Sequence, residues 1–355
     1  MTQSPPYLPP RPDANGTIHI VVPLRPGADL DQLRARLDAV PALKQRAVRW
    51  HVPKARADIV QLSQEAARSA KADGGLVVAA GGDGTINAVA TAAWAQGVPM
   101  GVLPMGTFNY FARDQSLSLD PQEAVQDVLT ALDGGDMRPV SVGFVNDRMF
   151  LVNASVGLYP RLLDNRERAS RRFGRTRWVA ILSSMWSVLR GGASRRWRVS
   201  VRPDANAPLQ QQEHLVSTLF VGNNHLQLER VGIPEAREVA EGDHLAVVVL
   251  KPQEGDASPA SMLWNAVRGK LGEDESVSSI ACTEMIVEPA SWKPHRVKVA
   301  FDGEREWMAP PINFRVGDRP LWLVAPTATV KSDDPAPAAQ AEEAPAVPAV
   351  GLAPV

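Results

Sequence analysis

The sequence predicts two domains: an α/β domain with a parallel sheet covered by helices on both faces, then a mostly β, sandwich-like domain. In the first 140 residues, short apolar segments alternate with segments of helical periodicity, a pattern typical of a parallel sheet. Beyond residue 140, short apolar segments are separated by turn residues, which favours strands joined by turns. A third observation is a glycine-rich loop at residues 81–84, directly after an apolar segment.

The elements of the first domain follow from residue spacing. Strands are predicted at residues 18–22, 46–52, 76–80 and 100–103. Helices are predicted at residues 29–40, 58–72, 84–96 and 121–132. In the last of these, Ala124, Val128 and Leu132 are four positions apart, so they share one helix face.

The second domain is predicted to begin near residues 137–140. Its strands are predicted at residues 140–145, 150–152, 197–201, 216–221, 244–250, 285–288, 297–301 and 320–324, with a helical stretch around 161–190. The two domains would then span residues 17–139 and 140–319. Residues 1–16 and 327–355 are rich in Pro, Ala and polar residues and are expected to be disordered.

Composition narrows the class of protein. Apolar residues make up 45% of the chain, enough for a sizeable core, and the net charge of −1 argues against a nucleic-acid binder. The single cysteine, Cys282, excludes an internal disulfide framework and fits a reducing compartment. No apolar segment of about 20 residues is present, and the first residues lack a secretory pattern. We therefore expect a cytoplasmic protein.

The glycine loop lies in the stretch AAGGDGTINAVA, residues 79–90. A strand that ends in glycines and enters a helix presents backbone N–H groups to an anion such as phosphate. The residues expected to contribute are Gly81, Gly82, Gly84 and Thr85. The alternative is a tight turn in which Asp83 caps the helix. The P-loop pattern is absent, and Asn87 stands where a dinucleotide loop would need glycine.

A second polar loop follows the next predicted strand. It contains Gly106, Thr107 and Asn109. Ligands of open α/β sheets bind at the carboxyl ends of adjacent strands. The two loops together therefore indicate a binding site, although Thr107 and Asn109 taken alone are more often turn residues.

These motifs resemble a known family. AAGGDGTINAVA followed by GVLPMGTFNYFARD (residues 101–114) resembles the catalytic domain of diacylglycerol kinases, sphingosine kinases and bacterial lipid kinases. VNASVGLYPRLL, VGNNHLQL and VAFDGEREWM are similar to landmarks of the bacterial branch, in its order. The resemblance covers about residues 17–326. It implies a nucleotide-binding α/β domain, a β-sandwich, a cleft between them, and a return of residues 320–326 to the first domain.

The resemblance also implies a reaction, in which the γ-phosphoryl group of ATP is transferred with Mg²⁺ to the hydroxyl of diacylglycerol or a similar lipid. The first glycine loop would cradle the phosphates, with Asp83 near them and the metal, and the second loop would line the nucleotide site. Asp302 would be the general base, supported by Glu304. Asp302-Gly303 is also a strong hairpin-turn signal, and both roles can hold together.

A structural Mg²⁺ site is a further implication of the resemblance. The family places it at an acidic residue followed by glycine, before a strand of the second domain. Glu241-Gly242, with Asp243 beside it, is the match in this sequence. The alternative is a solvated acidic turn.

The sequence departs from many relatives at four positions. Val22 and Pro26 stand where polar residues of the first loop are usual, Ala88 replaces a glutamate, and Tyr110 replaces an aspartate. These departures bear on the identity of the substrate and on the catalytic rate more than on the fold. They leave two alternatives open: a kinase of a soluble substrate such as NAD, and a non-catalytic protein that binds lipid or nucleotide.

Residues 161–198 contain eleven arginines and three tryptophans. A kinase that takes its substrate from a membrane needs a surface that contacts lipid, and this segment is a candidate for peripheral contact at the inner face. A buried helix with a solvated, arginine-rich approach is the alternative. The segment lacks an aromatic RNA-binding motif, so we expect no nucleic-acid partner. The other partner that the sequence leaves open is a second copy of the chain, in a homodimer.

Overall fold

The computed structural model describes residues 8–13, 16–23, 30–53, 58–157, 195–216, 218–250, 268–274, 277–290 and 296–326. The predicted helical stretch at 161–190, most of the arginine-rich segment, Pro26 and the tail 327–355 lie outside these residues. All statements on structure below concern the described part of the chain.

The first domain is built on one six-stranded sheet. Its strands are β1 Ile18–Val21, β2 Val48–His51, β3 Leu76–Gly81, β4 Met100–Pro104, β5 Met137–Val140 and β18 Leu321–Val324. Their order is β2-β1-β3-β4-β18-β5. β18 pairs parallel with β4 and antiparallel with β5. The end of the described chain therefore completes the sheet that the first residues begin.

Helices cover both faces of this sheet. They are α1 Leu30–Asp38, α2 Ile59–Ala72, α3 Asp83–Gln96, α4 Tyr110–Asp114 and α5 Pro121–Gly134. α1 and α5 pack on one face through residues such as Leu37 and Val128, and α2 and α3 pack on the other. α3 ends at Gly97, whose φ of 68° is the left-handed conformation of a helix C-cap.

The second domain is a β-sandwich. One sheet has the order β10-β9-β14-β17-β6-β7 and the other β13-β12-β11-β8-β15-β16. The strands are β6 Gly143–Val145, β7 Arg148–Phe150, β8 Asn153–Gly157, β9 Arg195–Arg202, β10 Gln210–Val216, β11 Thr218–Gly222, β12 Leu245–Leu250, β13 Val277–Cys282, β14 Glu284–Pro289, β15 Val297–Phe301, β16 Glu304–Met308 and β17 Ile312–Val316. One core, with Trp197 and Phe314 from the first sheet and Leu219 from the second, fills the space between them. The predicted fold class is confirmed.

Two short helices, α6 His225–Val231 and α7 Ala236–Ala240, lie outside the second sheet of the sandwich. Their apolar residues Leu228 and Val239 pack against β12. The sequence pattern predicted neither of these helices, nor α4, because each spans at most two turns and shows too little periodicity.

The strand predicted at residues 140–145 is wrong in one respect, because it is two strands in two different sheets. β5 ends at Val140 in the first domain, and β6 starts at Gly143 in the sandwich. The strand predicted at 150–152 also ends early, at Phe150. The N–H groups of Leu151 and Val152 are used by a side chain of the sandwich instead of a strand partner.

α3 lies between the parallel sheet and the sandwich. The core on its side of the sheet, with Ile86 and Ala90, continues into Phe144, Met149 and Leu151 of the second domain. The helix that follows the glycine loop is therefore packed by both domains, which places the loop at their junction.

Candidate functional site

The two predicted loops lie side by side at one edge of the sheet. Gly81 and Pro104 are partners at the ends of β3 and β4, so both chains leave the sheet at its carboxyl edge. The Met105 N–H donates to the Gly81 carbonyl at 2.9 Å. A Cβ at Gly106 would lie 2.7 Å from the Cα of Gly82. Glycine at Gly106 therefore allows the two loops to pack together.

Gly84 has a different environment from the other loop glycines. It lies in the first turn of α3, is exposed, and a Cβ placed on it would meet no atom of the described residues within 4 Å. Glycine inside a helix costs about 1 kcal/mol relative to alanine, and no protein contact here requires it. Open space at first-turn N–H groups, which no helix satisfies internally, fits the approach of a phosphate.

Other residues of the predicted cradle are used for packing. A Cβ at Gly81 would lie 2.6 Å from Thr85 Oγ1, so Gly81 makes room for the Thr85 side chain, which is buried. Asn109 is also buried, and its amide closes its own loop by accepting from the Gly106 N–H and donating to the Gly106 carbonyl. Thr107 is exposed at the tip of this loop.

Asp83 connects the two loops. Its carboxylate accepts a hydrogen bond from the Phe111 N–H at 3.4 Å, in the first turn of α4. Burial raises the pKa of Asp83, while hydrogen bonds from backbone groups of α4 and its N-cap lower it. The cap interpretation therefore holds in a changed form, because Asp83 caps the neighbouring helix. This also holds its carboxyl group beside the glycine loop.

Asp302 and Gly303 form the two-residue turn between β15 and β16, where Phe301 pairs with Glu304. Both have positive φ, 43° and 88°, as the type I′ turn requires. The hairpin interpretation is thus correct, and the turn carries its aspartate into the junction between the domains.

The Asp302 carboxylate accepts four hydrogen bonds. Oδ2 accepts from Asn87 Nδ2 at 2.8 Å and from the Leu151 N–H at 2.7 Å. Oδ1 accepts from the N–H groups of Val152 and Asn153, both at 3.0 Å. Burial raises the pKa of Asp302, and the four hydrogen bonds favour the ionised form and oppose that shift.

Glu304 and the predicted metal residues have less support. Glu304 is exposed at the first position of β16. None of the four hydrogen bonds described at the Asp302 carboxylate involves Glu304. Glu241 and Asp243 are exposed, and Glu241 lies 3.6 Å from Arg237. In the described residues no three His, Cys, Asp or Glu side chains form a group that could hold a metal. The metal site at Glu241 and Asp243 therefore stays a prediction, with the solvated acidic turn as its alternative.

Several polar residues at the junction were missed by the sequence reading. Asn224 Nδ2 donates to the Tyr110 carbonyl at 3.2 Å, and Asn153 Nδ2 donates to Gln227 Oε1 at 3.1 Å. His225 Nδ1 lies 2.9 Å from Asp114 Oδ1. The signal was available, because asparagines directly after a buried strand, as in VGNNHLQL, must find hydrogen-bond partners.

The positions that depart from relatives also have defined surroundings. Tyr110 stacks on Phe108, with ring centroids 5.3 Å apart and planes within 7°. Ala88 is half-buried in α3.

At the end of the arginine-rich segment, Trp197 is 2% exposed in the sandwich core, so it is not available to a membrane surface. Within the described ranges, no helix has the length and apolar character needed to cross a membrane.

The fold and the site define a class of protein: an open parallel sheet with paired glycine loops, joined to a β-sandwich that supplies a half-buried aspartate with four hydrogen-bond donors. Residues 27–145 match the family model described as the diacylglycerol kinase catalytic domain. Over these residues the chain is similar to that family, and the matched range corresponds to the first domain.

Individual lipid kinases and diacylglycerol kinases are also similar to this chain in sequence. A protein named "Probable lipid kinase YegS-like" from Klebsiella pneumoniae (strain 342) is 36% identical over 135 residues, 37% of this chain and 42% of the relative. A diacylglycerol kinase from Staphylococcus saprophyticus subsp. saprophyticus is 37% identical over 95 residues, 26% of this chain and 30% of that protein. The chain thus aligns with less than half of each relative.

A solved structure shows the same fold over a longer range. The crystal structure of a diacylglycerol kinase from Bacillus anthracis str. Sterne matches with a TM-score of 0.61 at 16% identity. The match covers 88% of this chain and 97% of that chain. Both domains, and not the first alone, therefore have the architecture of that protein.

Proposed function

We propose that the protein is an ATP- and Mg²⁺-dependent kinase that phosphorylates the hydroxyl of diacylglycerol or a similar lipid alcohol. The observation that carries this is that one helix, α3, serves both halves of the site. Its N-terminus carries the open position at Gly84, and Asn87 contacts the Asp302 carboxylate at 2.8 Å. Gly84 and Asn87 are three positions apart in the helix, a rise of about 4.5 Å along its axis.

The residues present fit a nucleotide. First-turn N–H groups at Gly84 would bind a phosphate, and Asp83 would lie beside it. ATP would supply the phosphoryl group, and Mg²⁺ would neutralise charge on the phosphates. A metal that arrives with the nucleotide needs only one or two protein carboxylates, so a single aspartate at the loop is compatible with it.

Asp302 would take the proton of the lipid hydroxyl. Phosphoryl transfer needs positioning and a group that accepts this proton. The hydroxyl oxygen would bond to the transferred phosphorus while its proton passes to Oδ2. The nucleoside diphosphate would leave with the electron pair of the broken bond. The four surrounding donors would hold the carboxylate in position for this role.

The test uses the full chain, labelled ATP with Mg²⁺, and mixed micelles of diacylglycerol and other lipid alcohols. Label on a lipid, lost in Asp302→Asn while ATP still binds, is the expected result. Circular dichroism must show that the variant is folded, because an amide at 302 would face backbone donors.

Three other outcomes would change the proposal. Turnover of NAD with none of the lipids would assign a soluble substrate. ATP binding without turnover on any substrate would favour a non-catalytic binding protein, an alternative motivated by Ala88 and Tyr110, which stand where many relatives have acids. Activity that persists in a folded Asp302→Asn variant would remove Asp302 as the proton acceptor.

A further inference from the structure

Asn87 contacts Asp302 from across the domain junction. Its Nδ2 donates to Asp302 Oδ2 at 2.8 Å and to the Met149 carbonyl at 3.2 Å. Of the four donors described at the carboxylate, it is the one side chain and the one group from the first domain. The other three are successive backbone N–H groups of the sandwich.

The carboxylate has no spare acceptor position in this arrangement. An ionised carboxylate offers about four lone-pair sites, and four donors use them. A substrate hydroxyl can donate to Oδ2 only after one donor has left. The donor that leaves is therefore either a backbone N–H group or the Asn87 amide.

The backbone donors are held by further contacts. The Asp302 N–H donates back to the Asn153 carbonyl at 3.0 Å, and Asn223 Nδ2 donates to the Leu151 carbonyl at 3.1 Å. Displacing one of these N–H groups would disturb the start of β8. The Asn87 amide, in contrast, can leave by rotation of one side chain.

The backbone of α3 is anchored at a second point. Trp94 lies seven positions after Asn87, two turns along the same helix face. Its Nε1 donates to the Arg319 carbonyl at 3.0 Å, and Arg319 Nη2 donates to the Trp94 carbonyl at 2.7 Å. The Arg319 guanidinium lies 4.4 Å from the Trp94 ring centroid. Exchange at Asp302 therefore does not require movement of the helix.

We propose that Asn87 is a positioning residue for the phosphoryl transfer: its amide holds Oδ2 of Asp302 until the substrate hydroxyl arrives, and then gives that position to the hydroxyl. This rests on the proposed function. The Asn87 amide has two hydrogens, so after release from Oδ2 it can still donate to the Met149 carbonyl or to water.

The test compares Asn87→Ala and Asn87→Asp with Arg319→Ala, a control at the same interface that does not touch Asp302. Removing a donor from an anion raises its pKa by about one unit. We expect the acidic limb of the kcat/KM profile, which reports the free enzyme, to move to higher pH by about one unit in Asn87→Ala, and further in Asn87→Asp, where a second negative charge is added. The value of kcat should fall about tenfold, with the KM for ATP unchanged.

Arg319→Ala should lower the melting temperature and leave the acidic limb in place. An unmoved limb in both Asn87 variants, or an equal shift in Arg319→Ala, would overturn the proposal. A second readout separates it from the proposed function, because the Asp302 carboxyl carbon can be titrated by NMR without any substrate. A raised pKa in Asn87→Ala supports the contact even if no lipid is phosphorylated, and an unchanged one rejects it.

Discussion

A side chain at Gly106 would begin 2.7 Å from the Cα of Gly82. This contact joins two loops that belong to different strands, and Asp83 strengthens it by capping the helix after the second loop. The glycines of the site therefore serve two purposes, close packing at Gly81 and Gly106 and open access at Gly84. The two purposes can be separated by mutation.

Gly84→Ala tests the open position. The added methyl group meets no atom in the described part of the chain and replaces glycine within a helix, so the free energy of unfolding should be unchanged or rise by up to about 1 kcal/mol. ATP affinity, measured by calorimetry, should fall about tenfold or more, because the methyl group lies where a phosphate would approach. Gly97→Ala, at the other end of α3 with a φ of 68°, is the matched control. It should lose about 1 kcal/mol of stability and keep its ATP affinity.

Gly106→Ala tests the packing between loops. Its Cβ would lie 2.5 Å from Asn109 Oδ1 and 2.7 Å from Gly82, so the second loop must move. Urea unfolding should show a loss of about 1–3 kcal/mol, the usual cost of overpacking. A variant as stable as the wild type would mean that the loops are not held in this contact.

The pair His225–Asp114 predicts a pH dependence of stability. Its hydrogen bond with Asp114 raises the pKa of His225, and Glu229 adds to the shift. A raised value in the folded state means that the extra stability is complete below the unfolded pKa of about 6.5, and is lost as pH rises through the folded pKa. Between pH 6 and pH 9 the free energy of unfolding of the wild type should therefore fall by about 0.5–1 kcal/mol more than that of His225→Asn.

The control for this pair is His244→Asn. His244 lies 3.4 Å from Asp204, whose side chain is 75% exposed, so its removal should leave the pH dependence of urea unfolding close to that of the wild type. If His225→Asn keeps the full dependence, the junction pair is not its source.

Cys282 should be unreactive in the native protein. It is buried in the sandwich core, and burial raises the pKa of its thiol to about 12. The thiolate is the reactive form, so labelling with a chromogenic disulfide at pH 8 should proceed at the rate of unfolding. Labelling should become complete in urea. Rapid labelling without denaturant would show that the sandwich core opens locally.

Local spacing in the sequence predicted the long helices of the first domain and four of its six strands. Apolar periodicity is set by neighbours three or four positions away, and it predicted α2, α3 and α5 to within two residues at either end. Glycine at the end of a buried strand likewise predicted where the two loops leave the sheet. Such features depend on short stretches of chain and can be read without the fold.

The roles of individual polar groups were decided by the tertiary structure. The sequence suggested Asp83 as a cap for its own helix, and the fold gives it the helix 28 residues later. It suggested Asp302 as a hairpin residue or a base, and the fold surrounds its carboxylate with Asn87 and residues 151–153. Hydrogen bonds between residues 28 to 215 positions apart leave no periodic trace in the chain. Only the packing of α3 between sheet and sandwich brings these groups within reach of one another.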